Sequence, residues 1–241
     1  MNATDKIAIV IPAANESETI IEFAQQLLLE SRKQRAQAEL FFVLDHASKD
    51  DTLQKLQKFA RRRPEIHVIF EPKNRNVVDA YVRGYKEALK SKCKWFIEMD
   101  CGFSHLPSEL GLFIGGLRAG YDCVFGIRPL WSFQYQVPLK RRVLSLGGTI
   151  ISNLCLGTQF SDMTSGYEAF TRAAITKILS KPLKSTGNFW HVEMRYRARK
   201  MRWTEVRITY QFPSASVRSK TVNDAFGVLW DLTQRRWSGK A

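Results

Sequence analysis

Three acids, Glu16, Asp45 and Asp100, each stand close behind the end of a short apolar run. The clearest case is Lys94-Trp-Phe-Ile-Glu-Met-Asp-Cys-Gly-Phe-Ser-His105. There a run from Trp95 to Met99, interrupted by Glu98, ends in Asp100 and gives way to Gly102, Ser104 and His105. A buried strand of that length would deliver Asp100 to its carboxyl end, where a loop begins. In open α/β sheets that rim is where ligands sit. A carboxylate placed there holds a metal ion, anchors a polar group of a substrate, or caps the next helix. Ser104 or Ser108 is better placed for the cap, so Asp100 is assigned to a ligand. Acids at Glu16, Asp45 and Asp100 around one crevice suit ribose hydroxyls, a base N–H and a metal ion carrying a diphosphate. Each acid alone has a plainer reading, as a helix start for Asn15-Glu16 and as a turn plus cap for Asp45 to Asp50. Their shared rim makes the joint case.

The elements that must position them alternate along the first half of the chain. Ile7 to Ile11, Leu40 to Leu44, Ile66 to Phe70, Trp95 to Met99 and Tyr121 to Ile127 read as strands. Between them, apolar residues recur at helical spacing: Ile20, Phe23, Ala24, Leu27 and Leu28, then Leu53, Leu56 and Phe59-Ala60. Val77, Ala80, Tyr81, Gly84 and Ala88 form the inward face of a third helix, and Leu110 to Leu117 a fourth. Asn15 or Ser17, Asp50 or Asp51, and Asn76 are the candidate caps of the first three. Strand and helix in alternation predict an α/β fold with a mainly parallel central sheet, right-handed crossovers and flanking helices. The second half reads as a long helix from Pro138 to Gly157, a polar loop Ser161-Asp-Met-Thr-Ser-Gly166, and a short strand and helix to Leu179. A helix from Phe189 to Lys200, an edge strand from Trp203 to Tyr210 and an amphipathic helix from Val222 to Trp237 follow. With no repeat or linker, residues 1–241 are read as one domain.

Composition narrows the class. The 44% hydrophobic and 12% aromatic content belongs to a globular chain, and a net charge of +14 calls for an acidic partner. Cys93, Cys101, Cys123 and Cys155 have neither the spacing of a zinc site nor that of a disulfide framework, which fits a reducing compartment. The N-terminus lacks a signal-peptide pattern, and no window offers the roughly 18–20 apolar residues of a membrane span. A cytoplasmic protein, free or peripheral to a membrane, is expected. Lys140-Arg-Arg142 beside a long apolar helix face suits an anionic membrane surface, with a core helix carrying a charged end as the equal alternative. Nucleic acid is not expected, because no aromatic-basic reading motif accompanies the charge.

The series of motifs is similar to family 2 glycosyltransferases of the GT-A fold, and within them to the dolichol-phosphate mannose synthase group. Pro12, Asn15 and Glu16 match its Pro-x-x-Asn-Glu, and Asp45 to Thr52 its Asp-Asp-x-Ser-x-Asp-x-Thr. Asn74 to Gly84 keeps Ala80-Tyr81 and Gly84 of a Gly-x-Gly-x-Ala-Tyr-x-x-Gly element, and Met99 to Pro107 resembles Met-Asp-Ala-Asp-x-Ser-His-Pro. Gly126-Ile-Arg128, Arg141-Arg142, Asp162 to Tyr167, Phe189 to Met194 and Ser219-Lys220 continue the likeness in order to the end of the chain.

The resemblance implies a hexosyltransferase that moves a sugar from a nucleotide-sugar donor to a polyprenyl phosphate with inversion. Residues 1–128 would bind the donor and 129–241 the acceptor. Pro12, Asn15, Glu16, Asp45, Asn74 and Glu193 would line the nucleotide-sugar site, with a salt bridge to Arg197 at helical spacing as the alternative for Glu193, and Asp100 would hold a divalent cation, Mg²⁺ or Mn²⁺, on the diphosphate. Arg128, Arg141, Arg142 and Lys220 would face the acceptor phosphate. An anionic phosphate needs positioning more than a strong base, and Asp162 would then orient the acceptor or cap the turn before Gly166; a hydroxyl or glycan acceptor would need a base, and Asp162 is the candidate.

Several positions depart from the pattern. His46 replaces an acid, Ala14 an aromatic, and Asn76 and Val78 glycines. Gly102 replaces the second acid of Asp-x-Asp and removes a metal ligand. It leaves either Asp100 with water and diphosphate oxygens around the ion, or basic side chains in the ion's place, and it also motivates a non-catalytic, ligand-binding alternative. Glu98 shares a strand face with Asp100 and could compensate for the lost ligand, but a nearby lysine is its expected partner. His46 and His105 are read as hydrogen-bonded loop residues.

Overall fold

The structure, a computed structural model, describes residues 4–130, 138–187, 189–210 and 219–238, without the side chains of 219–224. Strands β1 (Asp5–Pro12), β2 (Ala36–Leu44), β3 (Ile66–Phe70) and β4 (Trp95–Glu98) alternate with helices α1 (Ile20–Lys33), α2 (Thr52–Ala60) and α3 (Val77–Ala88). A 3₁₀ turn (Pro107–Glu109), α4 (Leu110–Arg118) and β5 (Cys123–Ile127) complete the first half. The second half supplies α5 (Leu139–Leu156), β6 (Glu168–Thr171), α6 (Arg172–Ile178), α7 (Trp190–Ala198), β7 (Trp203–Arg207) and α8 (Ser219–Trp237). All seven strands join one sheet in the order β3-β2-β1-β4-β6-β5-β7. β6 runs antiparallel to both its neighbours and the other pairings are parallel.

Period-two alternation puts different residues of one strand into different cores. Ile7, Ile9 and Ile11 of β1 pack with Phe23 and Leu27 of α1, Leu56 of α2 and Phe113 of α4. Ala8 and Val10 face the opposite layer, with Tyr81 and Tyr85 of α3, Ile175 of α6 and Trp190 of α7. Each large aliphatic buried in this way contributes about 1.5–3 kcal/mol of transfer free energy. Gly84 lets α3 lie against the sheet, since a Cβ there would collide with Val10.

The caps are partly reassigned. Asn76 caps α3 through Asp79 N–H, as expected. At α1 the cap position is Thr19, whose side chain makes no cap bond, because Asn15 is held in a left-handed turn by the β2–α2 loop instead. The turn after β4 starts at Leu106 and Pro107, so neither Ser104 nor Ser108 caps it. On α3, Ala80, Tyr81, Gly84 and Ala88 are buried as expected, while Val78 is buried in place of the exposed Val77.

Helix α5 is inside out. Its buried positions are Thr149, Ser152 and Leu156, while Leu139, Val143, Leu144, Ile150, Ile151 and Leu154 are exposed. α8 packs beside it and exposes Phe226, Trp230 and Trp237. The reading of α5 as an ordinary core helix is therefore excluded.

Candidate active site

The carboxyl ends of β1, β2, β4 and β5 meet on one rim, because β4 and β5 both run antiparallel to β6 between them. Register fixes the levels: Pro12 pairs with Val43 and Val10 with Glu98, which puts Pro12, Val43 and Asp100 at one height and Asp45 two residues further out along the same rim. The loop 162–166 enters β6 at the same rim, as does Arg128 on leaving β5.

Asp100 is half-buried at the mouth of this rim. Its Oδ1 accepts from the Tyr81 hydroxyl at 2.8 Å, and its N–H donates to His105 Nδ1 at 2.9 Å. His105 is buried, and burial pushes its imidazole down to about 4. With Nδ1 accepting, the neutral ring carries its proton on Nε2. His105 is thus a hydrogen-bonded loop residue, as expected, while His46 stands edge-on to Phe70.

The β1 and β2 loops are laced together. Asn15 Nδ2 donates to Ala47 O at 3.1 Å and its Oδ1 accepts from Lys49 N–H at 2.8 Å. Asp50 accepts from Ser17 N–H at 2.9 Å and from the Thr52 hydroxyl at 2.6 Å, and these bonds hold its carboxyl below the usual range. Asp45 closes a turn through Ala47 N–H at 2.8 Å. Asn74 follows β3, and its Nδ2 is buried without a partner.

Gly102 has φ 71°, and a Cβ there would lie 2.5–2.6 Å from the Glu16 carboxylate oxygens. Glu16 therefore occupies the space beside Gly102. Burial raises its pKa, and the charges of Asp50 and Asp100 raise it further. A carboxylate destabilised by neighbouring anions is suited to a divalent cation, which would relieve that repulsion.

On the other side of Asp100 the acid is already spent. Asp162, fully buried, receives Arg128 Nε at 2.7 Å and Nη2 at 2.9 Å, with Arg128 N–H at 3.2 Å and Thr164 N–H at 2.9 Å. Burial would raise its pKa, but Arg128 holds it down to about 2. A carboxylate so held is a poor proton acceptor, so Asp162 is corrected from candidate base to the residue that aims Arg128.

Two cavities meet at Arg128. A polar one of about 80 Å³ is lined by Tyr81, Asp100, His105 and His191. An apolar one of about 340 Å³ runs along Val143, Leu144 and Ile151 of α5 to Phe226 and Leu229 of α8. Arg128, Arg141 and Thr164 line both. Arg142 sits back from them, its Nε donating to Leu130 O at 2.5 Å. Lys220 lies in the first turn of α8 and its side chain is outside the described residues. A larger cavity of about 720 Å³ opens beside Ala36 and Glu65 at the opposite rim and is remote from this chemistry.

Residues 8–226 match the family profile of Glycosyl transferase family 2. The chain belongs to that family. It is 26% identical over 208 residues to an undecaprenyl-phosphate mannosyltransferase of Micrococcus luteus, covering 85% of this chain and 83% of the relative. To a polyprenol monophosphomannose synthase of Mycolicibacterium smegmatis it is 28% identical over 198 residues, covering 81% and 72%. A glucosyl-3-phosphoglycerate synthase of Mycobacterium tuberculosis, solved with Mn²⁺, UDP-glucose and phosphoglyceric acid, superposes with a TM-score of 0.66. It is 14% identical, over 95% of this chain and 80% of that one. The fold is thus GT-A-like and the enzyme a glycosyltransferase. No helix among the described residues is long and apolar enough to cross a membrane.

Two expectations about this glycosyltransferase's acids fail on geometry. Glu193 is buried, pairs with Arg197 Nη2 at 2.6 Å and accepts Lys184 N–H at 2.9 Å, so it belongs to the α7 framework and not to a sugar site. Among the described residues Glu98 has no lysine partner. It accepts from the Tyr85 hydroxyl at 2.6 Å, with His191 Nδ1 3.5 Å away. The missed residues are Tyr81, Tyr85, Glu168, His191 and Arg195. Two tyrosines four apart on a helix, facing acids two apart on a strand, are a local signal for the first pair.

Proposed function

We propose that this glycosyltransferase moves a sugar from a nucleotide-sugar donor to a polyprenyl phosphate, with inversion at the anomeric carbon. The observation that carries the reading is the Arg128 junction: a guanidinium aimed by Asp162, a polar cavity with Asp100 on one side, an apolar cavity on the other. A phosphate head at Arg128 and Arg141 with its hydrocarbon chain along α5 and α8 satisfies both. The names of the mannosyltransferase relatives point the same way.

The donor would lie across the rim of residues 1–128. Pro12, Asn15, Asp45 and Asn74 face the nucleoside, and Asp100, with Glu16 beside Gly102, is placed to hold Mg²⁺ or Mn²⁺. Such an ion supplies charge neutralisation to a departing diphosphate. Tyr81 fixes the Asp100 carboxylate through one oxygen. Residues 129–241, with Arg128 at their border, supply the acceptor side, where Arg128 and Arg141 orient a phosphate oxygen that is already anionic. Positioning replaces proton abstraction, which agrees with the absence of a free base at Asp162. That absence disfavours a hydroxyl acceptor.

The exposed apolar faces of α5 and α8, flanked by Lys140, Arg141, Arg235 and Arg236, present the mouth of the apolar cavity to an anionic membrane surface. The reading is tested with farnesyl phosphate and farnesol as acceptors. Transfer to the phosphate alone supports it, and equal transfer to the alcohol rejects it.

A further inference from the structure

Glu98 and Glu168 are paired directly across β4 and β6, and both are fully buried. Like charges placed opposite each other in a sheet repel, and burial removes the water that would screen them. Helix α7 answers with two cations one turn apart. Arg195 pairs with Glu168 and donates to Ser165 O at 2.9 Å. His191 Nδ1 stands 3.5 Å from Glu98 Oε1 and 3.6 Å from Glu168 Oε1. Tyr85 closes the group on Glu98. With both acids ionised, two carboxylates and one guanidinium leave one negative charge, which is balanced when His191 is an imidazolium; burial and the Glu168 charge raise Glu98 to about 7, so this balance is met from about neutral pH upward. Burial alone would lower its pKa, but Glu168 and Glu98 outweigh that and push the ring up to about 9. A metal ion in this group would add positive charge to a set already neutralised by Arg195 and His191, so the cation reading belongs to Asp100.

The opposite edge of the ring faces the ligand. A Cβ on Gly166 would lie 2.8 Å from His191 Nε2, and both residues line the polar cavity with Asp100, His105, Arg128 and Arg141. The cavity is small, about 80 Å³, and its lining is largely polar and charged, which suits a compact anionic group. Replacing a buried ion cluster by apolar residues is often neutral or favourable for stability, so a cluster kept behind a cavity wall points to the cavity.

We propose that His191 is an anion-binding residue of the transfer reaction, its Nε2–H holding a phosphoryl oxygen in the polar cavity while Glu98 and Glu168 keep the ring charged. This rests on the phosphate-transfer reading above and adds a residue to it. The phosphoryl group has two sources, the acceptor monophosphate and the donor diphosphate. The groups facing the ring are Glu98 from β4, Glu168 from β6, Arg195 from α7 and Tyr81 from α3, with Asp100, His105 and Arg128 across the cavity.

The test is calorimetric binding in EDTA at pH 7 to four probes: farnesyl phosphate, farnesol, a nucleoside diphosphate and its nucleoside. The protein is wild type or His191→Gln. A loss of roughly tenfold or more, as for a lost charge-assisted bond, confined to farnesyl phosphate assigns His191 to the acceptor. A loss confined to the diphosphate assigns it to the donor. Unchanged affinity for both phosphate probes in a folded variant overturns the inference alone. A wild type that does not distinguish either phosphate probe from its neutral counterpart overturns the inference and the reading beneath it. If the variant does not fold, ¹⁵N-histidine spectra of the wild type decide: a His191 Nε2 resonance that moves with neither probe overturns the inference, and one that moves supports it.

Discussion

Removing Asp162 separates the two roles open to it. Asp162→Ala deletes a fully buried carboxylate and takes the carboxylate from beside a guanidinium whose side chain is only 11% exposed, leaving it the Thr164 hydroxyl among its partners. Breaking a buried pair from one side costs about 3–5 kcal/mol. Arg128 borders two cavities and regains some water, so the lower end applies, about 3 kcal/mol. At about 2–4 °C per kcal/mol for a chain of this size, the melting temperature falls by about 6–12 °C. Arg128 also loses the two bonds that aim it, so the KM for a phosphate acceptor rises about tenfold or more while kcat at saturating acceptor falls less. Thermal unfolding and acceptor-dependent initial rates measure both. If Asp162 were instead the base, kcat would collapse at unchanged KM and little change in melting temperature. That pattern would refute the aiming argument.

Four other perturbations follow from the geometry. Asp100→Ala should abolish transfer yet leave the melting temperature within about 2 °C, because a half-buried rim residue gives up little packing; undiminished turnover would remove its catalytic role. Gly102→Ala places a side chain at φ 71° against Glu16, so chemical denaturation should report a loss of about 1–2 kcal/mol from left-handed strain, and metal-promoted nucleotide binding should weaken; unchanged behaviour in both would mean Glu16 has no part in the metal site. His191 is raised in the folded state to about 9 and Glu98 to about 7. Their contribution to stability is therefore complete below about pH 4.5 and lost progressively as pH rises to about 9, first through Glu98 and then through His191; denaturant midpoints should fall across that window in the wild type, and the upper part of the fall should be absent in His191→Gln. Leu154→Glu with Trp230→Glu should abolish co-sedimentation with vesicles rich in anionic lipid while leaving the melting temperature unchanged, and retained co-sedimentation would place the membrane contact elsewhere.

The strand ends and the rim were legible because short continuous apolar runs closed by Pro12, Asp45 and Asp100 encode local structure. The direction of α5 was not. Its apolar residues recur at helical spacing whether they face a core or a membrane, and the buried Thr149 and Ser152 are visible only once the sheet is in place. Glu98 shows the same limit at longer range: an acid inside an apolar run announces a buried partner, but Tyr85 and His191 reach it through folding. Glu193 went the other way, since Arg197 four residues on was the local answer, and the likeness to the family pointed to the sugar site instead. Gly102 read as a loss; the structure fills its space with the Glu16 carboxylate.

The central claim is transfer of a sugar onto a polyprenyl phosphate. It is tested most directly by incubating the protein with a panel of nucleotide sugars, Mg²⁺ or Mn²⁺ and farnesyl phosphate, and weighing the lipid product by mass spectrometry. The account predicts a farnesyl phosphate heavier by one sugar residue, with the phosphate retained, from at least one donor, and no such product from Arg128→Ala or Asp100→Ala. Transfer to farnesol as readily as to its phosphate, or a product that persists in Asp100→Ala, would contradict it.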